Sequence, residues 1–517
     1  MKNALQTIYP FCAKLRPSVV DWGSPNELPE ILAAHPELCG DAPFLADLAA
    51  LERAVFRLAR AGTEQPESVT ERIVRPGIEL IAVNWRGLPE LLAGGAGQPS
   101  RGRAFVLLLP GAPGERPAIT SPSSHDLLAL KIVGEGIPVE EAAREGGVCI
   151  GVIEDILWAA VQKGLLLAPS STIVRPESFR REFPGADSLL RASAFTLQWH
   201  LTQACDLHCR HCYDRSSRPA MTLDQGIRVL DQFYDFCRTH HLYGQVSFTG
   251  GNPLLSEHFH QFYREARARG LLTAILGNPI SLESLEKILD SGMPEFYQVS
   301  LEGLAGHNDY IRGKGHFATV LDFLAALRDK RIFSMVMLTL TRANLDQVLP
   351  LAEILRDRVD LFTFNRLAMV GEGAALASVD PAAYRQFLAE YLWVAETNPI
   401  LRLKDNLLNV LLDEQGLPLT GGCAGHGCGA AFNFVALLPD GEVHACRKLP
   451  SPLGNILQNS LAEIYHSPLA ERYRQGSSAC ATCAIRPACG GCPAVTQGFG
   501  RDIFSDLDPY CWKKEPR

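Results

Sequence analysis

Eleven of the fifteen cysteines in this chain of 517 residues fall into two dense groups, three near residue 210 and eight after residue 420. In a reducing cytosol, thiols grouped in this way bind metal more often than they form disulfides. The other four, Cys12, Cys39, Cys149 and Cys237, stand apart from any group and are expected to be small, buried apolar side chains. The chain is therefore expected to fold around metal sites in two regions.

The overall composition is that of a globular protein, with 47% hydrophobic and 21% charged residues and a formal net charge of −8. This acidic balance gives no general attraction to nucleic acid or to an anionic membrane surface. The sequence has no run of about 18 uncharged apolar residues, and its first residues lack the apolar core of a signal peptide. We expect a cytoplasmic protein with no nucleic-acid or membrane partner.

Five segments are predicted, because a chain of this length usually divides into several domains. They are a helical domain at 1–66, a β-rich segment plus a winged helix at 67–168, a linker at 169–193, a strand–helix region at 194–405 and a cysteine-rich tail at 406–517. Alternating strands and helices predict a parallel sheet, open or closed into a barrel. Its strands are expected at Thr196–Leu201, Gln245–Phe248, Thr273–Leu276, Tyr297–Leu301, Ser334–Leu340 and Leu361–Arg366. The tail has little periodicity, so we expect it to bury little apolar core and to depend on metal.

The first cysteine group, Cys205, Cys209 and Cys212, directly follows the first strand of the predicted sheet in a CxxxCxxC spacing. Three thiolates on one loop can hold three irons of a [4Fe–4S] cluster. The fourth iron is then open to a small molecule, like the open position of a catalytic metal. A zinc loop, with His208 or His211 as its fourth ligand, is the alternative.

This spacing resembles the signature of radical S-adenosylmethionine (SAM) enzymes. The resemblance implies that the open iron chelates the amino and carboxylate groups of SAM. One electron then reaches the sulfonium, and a 5′-deoxyadenosyl radical abstracts hydrogen from the substrate. His211 stands where the family usually has Tyr or Phe, and its planar ring keeps a contact with adenine available.

The stretch Gly250-Gly251-Asn252-Pro253 resembles the GGEP segment of the same family, with Asn252 in place of Glu. The glycines allow a close approach of the backbone to a ligand. The resemblance implies that this segment binds the amino group of SAM. Because Asn keeps an acceptor but carries no charge, backbone oxygens are expected to take a larger part.

Two further stretches, Ser300–Gly303 and His307–Gly313, resemble the SLDG and HDxxRG motifs of the family. They imply that Ser300 lies near the SAM ribose or the substrate and that Arg312 pairs with the SAM carboxylate, which suits its bidentate guanidinium. A surface salt bridge is the alternative for Arg312. Asn278, Asn365 and Arg366 end predicted strands; we expect Asn278 near SAM and the other two either to face substrate or to form a structural polar pair.

The second cysteine group holds eight thiols, enough to fill two four-ligand clusters with none left over. The pattern is Cys423-x4-Cys428-x12-Gly441-x4-Cys446, then Cys480-x2-Cys483-x5-Cys489-x2-Cys492-x18-Cys511. It resembles the SPASM extension of radical SAM peptide modifiers, which holds two auxiliary [4Fe–4S] clusters. The resemblance implies one cluster on Cys423, Cys428, Cys446 and Cys492 and the other on Cys480, Cys483, Cys489 and Cys511. Two zinc ribbons are the alternative, because CxxC pairs also suit zinc.

The residue after Cys446 is Arg447. Sulfatase-maturing members of the family carry an Asp at the matching position, so their chemistry is disfavoured here. Two complete ligand shells leave no open iron, so electron relay or structural support is the expected role of the auxiliary clusters.

The predicted winged helix, residues 120–167, has seven acidic and three basic side chains. Because phosphate contacts supply most of the affinity for DNA, this module is poorly suited to DNA. It resembles the small domain that captures leader peptides by strand addition in ribosomal peptide maturation, and Ala104–Leu109 is expected to help form the docking edge. A purely structural wing is the alternative. The full layout most resembles maturases of thio(seleno)oxazole, or selenobiotic, peptides.

The predicted fold class is thus α/β: a partial (β/α)6 TIM-like radical SAM barrel, preceded by helical and winged-helix domains and followed by an iron–sulfur domain. The implied cofactors are SAM and three [4Fe–4S] clusters. The implied partners are a leader-bearing precursor peptide and a flavodoxin- or ferredoxin-type electron donor. Two alternatives remain open: a radical SAM enzyme acting on a protein side chain or small molecule, and a zinc-stapled scaffold without enzymatic activity.

Overall fold

A computed structural model describes residues 2–18, 26–61, 63–95, 97–112, 114–183 and 185–513. The chain divides into two compact units, Met1–Ser170 and Ser171–Arg517. No helix in the described ranges is both long enough and apolar enough to cross a membrane. The finer division into five segments stays a prediction.

The first unit contains eight α-helices and five short strands among its described residues. The helices are α1 (Lys2–Ile8), α2 (Pro10–Leu15), α3 (Leu28–Ala34), α4 (Leu45–Ala61), α5 (Leu88–Leu92), α6 (Ser124–Gly134), α7 (Val139–Gly146) and α8 (Ile150–Gln162). The strands are β1 (Ile73–Val74), β2 (Glu79–Arg86), β3 (Ser100–Leu109), β4 (Ala118–Thr120) and β5 (Leu166–Leu167).

The winged helix forms in the predicted order of three helices and a strand. Ser123 begins α6 with a capping box, accepting from the Asp126 amide while the Asp126 carboxylate accepts from the Ser123 amide. Strand β5 pairs antiparallel with β1 to complete the wing. Apolar residues of α6–α8 then pack together around Ala129, Ile153 and Leu157.

The antiparallel sheet of the first unit has the order β2–β3–β4, so β3 is its central strand. Strand β4 pairs only with Leu107–Leu109, whereas β2 pairs along nearly all of β3. Within Ala104–Leu109, which is expected to help form a docking edge, Leu107 and Leu108 pair with both β2 and β4, and Leu109 pairs with β4. Ala104–Val106 lie beyond the end of β4.

The second unit is built on a sheet of nine strands. They are β6 (Ala194–Thr202), β7 (Tyr243–Gly250), β8 (Leu272–Leu276), β9 (Phe296–Ser300), β10 (Ser334–Leu340), β11 (Leu361–Arg366), β12 (Phe434–Leu437), β13 (Glu442–Cys446) and β14 (Leu449–Asn455). The helices are α9 (Ala186–Leu190), α10 (Leu223–Thr239), α11 (Phe259–Ala268), α12 (Leu282–Leu289), α13 (Ala305–Arg312), α14 (His316–Asp329), α15 (Val348–Leu355), α16 (Pro381–Ala395), α17 (Leu408–Glu414), α18 (Leu461–Tyr465), α19 (Pro468–Gln475) and α20 (Pro493–Gly498).

Strands β6 to β11 lie side by side in chain order, and all are parallel. These are the six predicted strands, each within two residues of its expected bounds. The sheet order runs β11-β10-β9-β8-β7-β6-β12-β13-β14, with β11 and β14 at its edges, so the barrel is partial and open. The predicted TIM-like α/β fold is confirmed.

The tail adds strands that the sequence did not predict. Strand β12 pairs parallel with β6, and β13 and β14 continue antiparallel. The expectation that the tail buries little apolar core is wrong, since Val435, Leu437 and Val443 are fully buried in the main core of the unit. These strands are short and are separated by Gly and Pro, so the sequence shows no clear alternation of apolar and polar residues that would predict them.

Two smaller expectations also change. From Ser171 onward the predicted linker packs into the second unit: Arg175 is buried and donates to the carbonyls of Arg474 (3.0 Å) and His426 (2.9 Å). Of the four isolated cysteines, three are buried, but Cys149 is exposed because it precedes α8 at the surface.

Candidate active site

A cavity of about 190 Å³ lies at the carboxyl ends of the parallel strands of the second unit. Each of β6 to β11 contributes a residue at its end or directly next to it: Gln203, Gly250, Leu276, Ser300, Thr339 and Arg366. In open α/β sheets ligands bind at this edge. The cavity is therefore the candidate active site.

The three clustered cysteines, Cys205, Cys209 and Cys212, all line this cavity. Two N–H groups from other elements approach their sulfurs: Asn278 Nδ2 lies 3.6 Å from Cys205 Sγ, and Arg312 Nη1 lies 3.7 Å from Cys209 Sγ. Burial raises the pKa of the Cys209 thiol, and the Arg312 charge opposes that rise. Three sulfurs on one loop with cationic and amide donors beside them fit a cluster held by thiolates.

Gly250 and Gly251 contact the backbone at the start of the cysteine loop. A Cβ on Gly250 would clash with the carbonyl oxygen of Thr202, and one on Gly251 with that of Ala204. The Gly251 amide donates to the Thr202 oxygen at 2.8 Å, and the Asn252 amide donates to the Ala204 oxygen at 2.8 Å. The glycines are thus required where the two backbones meet, and both also line the cavity.

Asn252 and Pro253 are not among the residues that line the cavity. The side chain of Asn252 is buried; its Oδ1 accepts from the Leu254 amide (3.3 Å), and its Nδ2 donates to Asp206 Oδ1 (3.2 Å). Asn278 donates to the same Asp206 oxygen. Asn252 therefore helps to hold the loop that carries Cys205, through its bond to Asp206.

Glu302 is the centre of a buried charge network that the sequence did not single out. Its Oε1 accepts from His211 Nε2 (2.8 Å) and from Arg312 Nε (2.9 Å), and its Oε2 accepts from the Thr339 amide (2.8 Å). Burial alone would raise the pKa of Glu302, but the charges and hydrogen bonds of His211 and Arg312 hold it well below its ordinary value. In the sequence, Glu302 is noticeable only as a Glu at the position of the Asp in the SLDG motif.

This network defines what Arg312 and His211 still offer to a ligand. Arg312 uses Nε and Nη2 on Glu302, so it is not a surface salt bridge, and Nη1 remains directed to the Cys209 side. His211 Nδ1 is buried without a hydrogen-bond partner among the described residues. Ser300 lines the cavity next to both. An unpartnered buried nitrogen on the cavity wall fits a site for a polar ligand such as SAM.

Arg366 also lines the cavity, but its side chain is already bonded within the protein. Its guanidinium forms a bidentate pair with Asp508, and its Nε donates to Asp405 Oδ2 at 2.8 Å. Asn365 Nδ2 lies 3.0 Å from Met337 Sδ. Of the two alternatives for these residues, the structural polar arrangement is the one that forms, although both still line the cavity.

The eight tail cysteines separate into two neighbourhoods. The first, here the Cys446 set, consists of Cys423, Cys428, Cys446 and Cys492. Cys428 and Cys446 pack against one small apolar cluster, and Cys446 and Cys492 pack against another. Burial raises the pKa of Cys428, and the charges of Cys492, Cys423 and Cys446 raise it further.

The second neighbourhood, here the Cys511 set, consists of Cys480, Cys483, Cys489 and Cys511. Burial raises the pKa of Cys480 to about 11, together with the charges of Cys483 and Cys511. The pKa of Cys489 is raised by burial and by Cys511 and Cys480. In the part of the chain that the structure describes, no three His, Cys, Asp or Glu side chains gather around a single metal ion; in a [4Fe–4S] cluster each thiolate binds a different iron.

Comparison with known proteins gives the class. Residues 199–355 match the radical SAM superfamily, and residues 428–493 match SPASM, an iron–sulfur cluster-binding domain. The chain therefore carries a radical SAM domain followed by a SPASM domain. It is a radical SAM enzyme that uses SAM, a [4Fe–4S] cluster and auxiliary iron–sulfur clusters.

Two curated relatives and one solved structure narrow the comparison. The antilisterial bacteriocin subtilosin biosynthesis protein AlbA of Bacillus subtilis is 26% identical over 337 residues, 61% of this chain and 70% of AlbA. The AdoMet-dependent heme synthase of Methanosarcina barkeri is 25% identical over 348 residues, 61% of this chain and 95% of the synthase. The crystal structure of Streptococcus suis SuiB bound to precursor peptide SuiA shares the fold, with a TM-score of 0.51 and 14% identity over 79% of this chain and 97% of SuiB.

The match to SuiB is longer than the second unit, which holds 347 of the 517 residues. It must therefore include part of the first unit.

Proposed function

We propose that this protein modifies a ribosomally made precursor peptide. The observation that carries the proposal is the joint presence of a radical SAM–SPASM unit and an N-terminal winged helix in one chain. AlbA is named for the biosynthesis of a bacteriocin, and SuiB is seen with its precursor peptide. SAM bound to its cluster supplies a hydrogen-abstracting radical.

In this proposal the cysteine loop holds the SAM cluster through Cys205, Cys209 and Cys212. The Cys446 set and the Cys511 set each hold one auxiliary cluster. The mutual proximity of the thiols within each set supports this division. The electron donor is a flavodoxin- or ferredoxin-type protein.

Around SAM, Arg312 Nη1 would meet the carboxylate, while the backbone at Gly250 and Gly251 would approach the amino group. His211 would present its unpartnered Nδ1 to the ligand, with its ring held by Glu302. Because Glu302 takes the other hydrogen-bonding groups of Arg312 and His211, both side chains are fixed before SAM arrives.

The leader of the peptide would dock on the winged-helix region by strand addition. Ala104–Val106, which β4 does not cover, and the outer edge of β2 are the available positions. Leu80 and Phe105 are exposed apolar side chains on these strands and would face the added strand. The acidic winged helix argues against DNA as the partner. Among peptide maturases, the thio(seleno)oxazole group is the proposed subclass.

The test uses the full-length anaerobic enzyme with SAM, a reductant and candidate precursor peptides taken from short open reading frames near its gene. We expect 5′-deoxyadenosine formation and a mass change in the peptide, and Phe105→Ser should raise the peptide concentration needed for both. SAM cleavage without any peptide mass change would contradict the proposal. Phe333→Ser is the matched control, because Phe333 is another exposed phenylalanine, located in the second unit.

A second candidate function is a reaction on a small molecule. The similarity to the AdoMet-dependent heme synthase over 95% of that protein favours it. It predicts that the isolated substrate reacts equally well with wild-type protein and with Phe105→Ser, because the winged helix would take no part.

A further inference from the structure

Arg366 is the only charged residue at the very end of a parallel strand among the described residues β6 to β11, and its side chain is 4% exposed. It lines the active cavity, yet its guanidinium is turned to the tail. Nη1 and Nη2 donate to the two carboxylate oxygens of Asp508 at 2.8 and 2.9 Å. The rings of Tyr384 and Tyr510 lie 5.5 and 5.3 Å from its central carbon. The guanidinium is therefore buried, and its bidentate bond to Asp508 holds it in one orientation.

Asp508 connects that fork to a cysteine of each tail set. Its Oδ2 accepts from the Cys492 amide at 2.9 Å, and its main-chain oxygen accepts from the Cys511 amide at 2.8 Å. A Cβ on Gly491 would lie 2.9 Å from Asp508 Cβ, so the backbone before Cys492 is pressed against this residue. Asp508 therefore binds the backbone at a ligand of each proposed cluster, through its carboxylate at Cys492 and through its main-chain oxygen at Cys511.

The third bond of Arg366 leads to another cysteine. Arg366 Nε donates to Asp405, and the next residue, Asn406, accepts from the Cys423 amide through Oδ1 at 2.7 Å. Asn406 Nδ2 also donates to the carbonyl of Gly491. Of the two acidic residues bound by Arg366, Asp508 thus contacts the backbone at Cys492 and Cys511. The other, Asp405, is followed in the chain by Asn406, which binds the backbone at Cys423.

The two charges of this pair lie beside the backbone of the proposed cluster ligands. The Asp508 carboxylate accepts from the Cys492 amide, and the Asp508 main-chain oxygen accepts from the Cys511 amide. The Arg366 guanidinium is bonded to the same carboxylate at 2.8 and 2.9 Å. A negative charge beside a cluster disfavours the extra electron of the reduced state, and a positive charge favours it.

We propose that Arg366 and Asp508 are positioning residues that tie the wall of the active cavity to both auxiliary clusters and set their reduction potentials together. This inference rests on the proposed ligand assignment. Because this one charged pair lies beside both clusters at the wall of the cavity, a change in its charge should shift both reduction potentials. Neither residue needs to touch the reacting atoms for this role.

The experiment measures the midpoint potentials of all clusters in the anaerobic full-length protein by EPR-monitored titration. Asp508→Asn removes a negative charge while keeping an acceptor for the Cys492 amide, so both auxiliary potentials should move upward. Arg366→Gln removes the positive charge, so the auxiliary potentials should move downward. The combined variant should return toward the wild-type values, because the two charges are removed as a pair. The SAM-cluster potential should not change.

Arg474→Gln is the matched control, because Arg474 is a buried arginine of the tail bonded to Glu471 and to the carbonyls of Ala431 and Tyr465. It should leave the auxiliary potentials unchanged. Unshifted potentials in Asp508→Asn at full iron content, or a shift of one auxiliary cluster alone, would overturn the inference. If one of these variants loses iron, Arg366→Lys is measured instead, because it keeps the positive charge. Auxiliary potentials equal to those of the wild type would support the role of the pair. Potentials that move as far as in Arg366→Gln would reject it. A wild-type protein without auxiliary signals would instead reject the ligand assignment.

Discussion

The two groups of cysteines differ in what the rest of the protein holds in place. In the loop of Cys205, Cys209 and Cys212, donors from other elements are directed at the sulfurs, and Cys205 is exposed. In the tail, side-chain oxygens from other segments bind the backbone amides of cysteines, as Asn406 does for Cys423 and Asp508 for Cys492, and the donor directed at a sulfur is the nearby Gly491 amide at Cys489. The loop is arranged around a cavity that receives a ligand, whereas the tail is arranged for a fixed position. This difference fits the proposal that the first group binds SAM and that the second holds auxiliary clusters for electron relay or structural support.

The strongest way to break this comparison is to remove a thiol of the loop. Cys205→Ala should abolish SAM cleavage and lower the iron content from about twelve to about eight per chain, because one of three four-iron clusters is lost. Iron, acid-labile sulfide and 5′-deoxyadenosine measured on one anaerobic sample test this. Cys237→Ala is the control, because Cys237 is buried and isolated; it should keep both activity and iron.

Removing a thiol of the tail should give a different result. Cys492→Ala should also lose about four irons, but SAM cleavage should continue while modification of the substrate stops. The ratio of 5′-deoxyadenosine to modified product measures the difference. Equal loss of SAM cleavage in Cys205→Ala and Cys492→Ala would show that the two groups do not have separate roles.

The Glu302 network sharpens the comparison on the side of the loop. Glu302→Gln leaves Arg312 and His211 without their buried counter-charge, which typically costs about 3–5 kcal/mol. We expect a clearly lower midpoint of thermal unfolding and weaker SAM binding. Glu353→Gln should shift the midpoint little, because its pair with Arg356 is exposed. A Glu302→Gln protein as stable as wild type would mean that the network is not a major source of rigidity.

The smallest expected effect concerns His200, on the strand that leads into the loop. Burial lowers the pKa of His200 to about 3, so the folded protein keeps it neutral while the unfolded chain takes up a proton below about pH 6.5. Stability should therefore fall as the pH drops below that value, by up to about 1.4 kcal/mol per pH unit. His200→Gln should flatten this dependence between pH 6.5 and 5 in thermal unfolding, whereas His125→Gln, at an exposed position, should not. Parallel curves for wild type and His200→Gln would contradict the assignment of a neutral, buried imidazole.

Much of this architecture could be predicted from local patterns. The six parallel strands are continuous apolar runs between turn residues, and Ser334–Leu340 and Leu361–Arg366 have the predicted bounds. The cysteine loop was found because three ligands lie within eight residues of sequence. The division of the eight tail thiols came from family resemblance, since spacing alone does not say which cysteines meet.

What could not be predicted depends on contacts between distant residues. Arg366 and Asp508 are 142 residues apart, and no sequence pattern connects them. Glu302 looked like a conservative change in a short motif, yet it organises one wall of the cavity. That Asn252 binds SAM stays a prediction, while the bonds that its side chain makes to Asp206 and Leu254 become visible only when the loop is folded.

The pairing of β12 with β6 has a consequence for how such enzymes can evolve. Strand β6 leads directly into the cysteine loop, and it is flanked on one side by β7 and on the other by a strand from the tail. In a chain that ended before residue 406, the backbone N–H and C=O groups of β6 would be unpaired along one side. Such an exposed strand edge promotes aggregation. The two cluster-bearing regions therefore cannot be exchanged between proteins as separate modules, and changes in the tail must remain compatible with the strand that carries the catalytic loop.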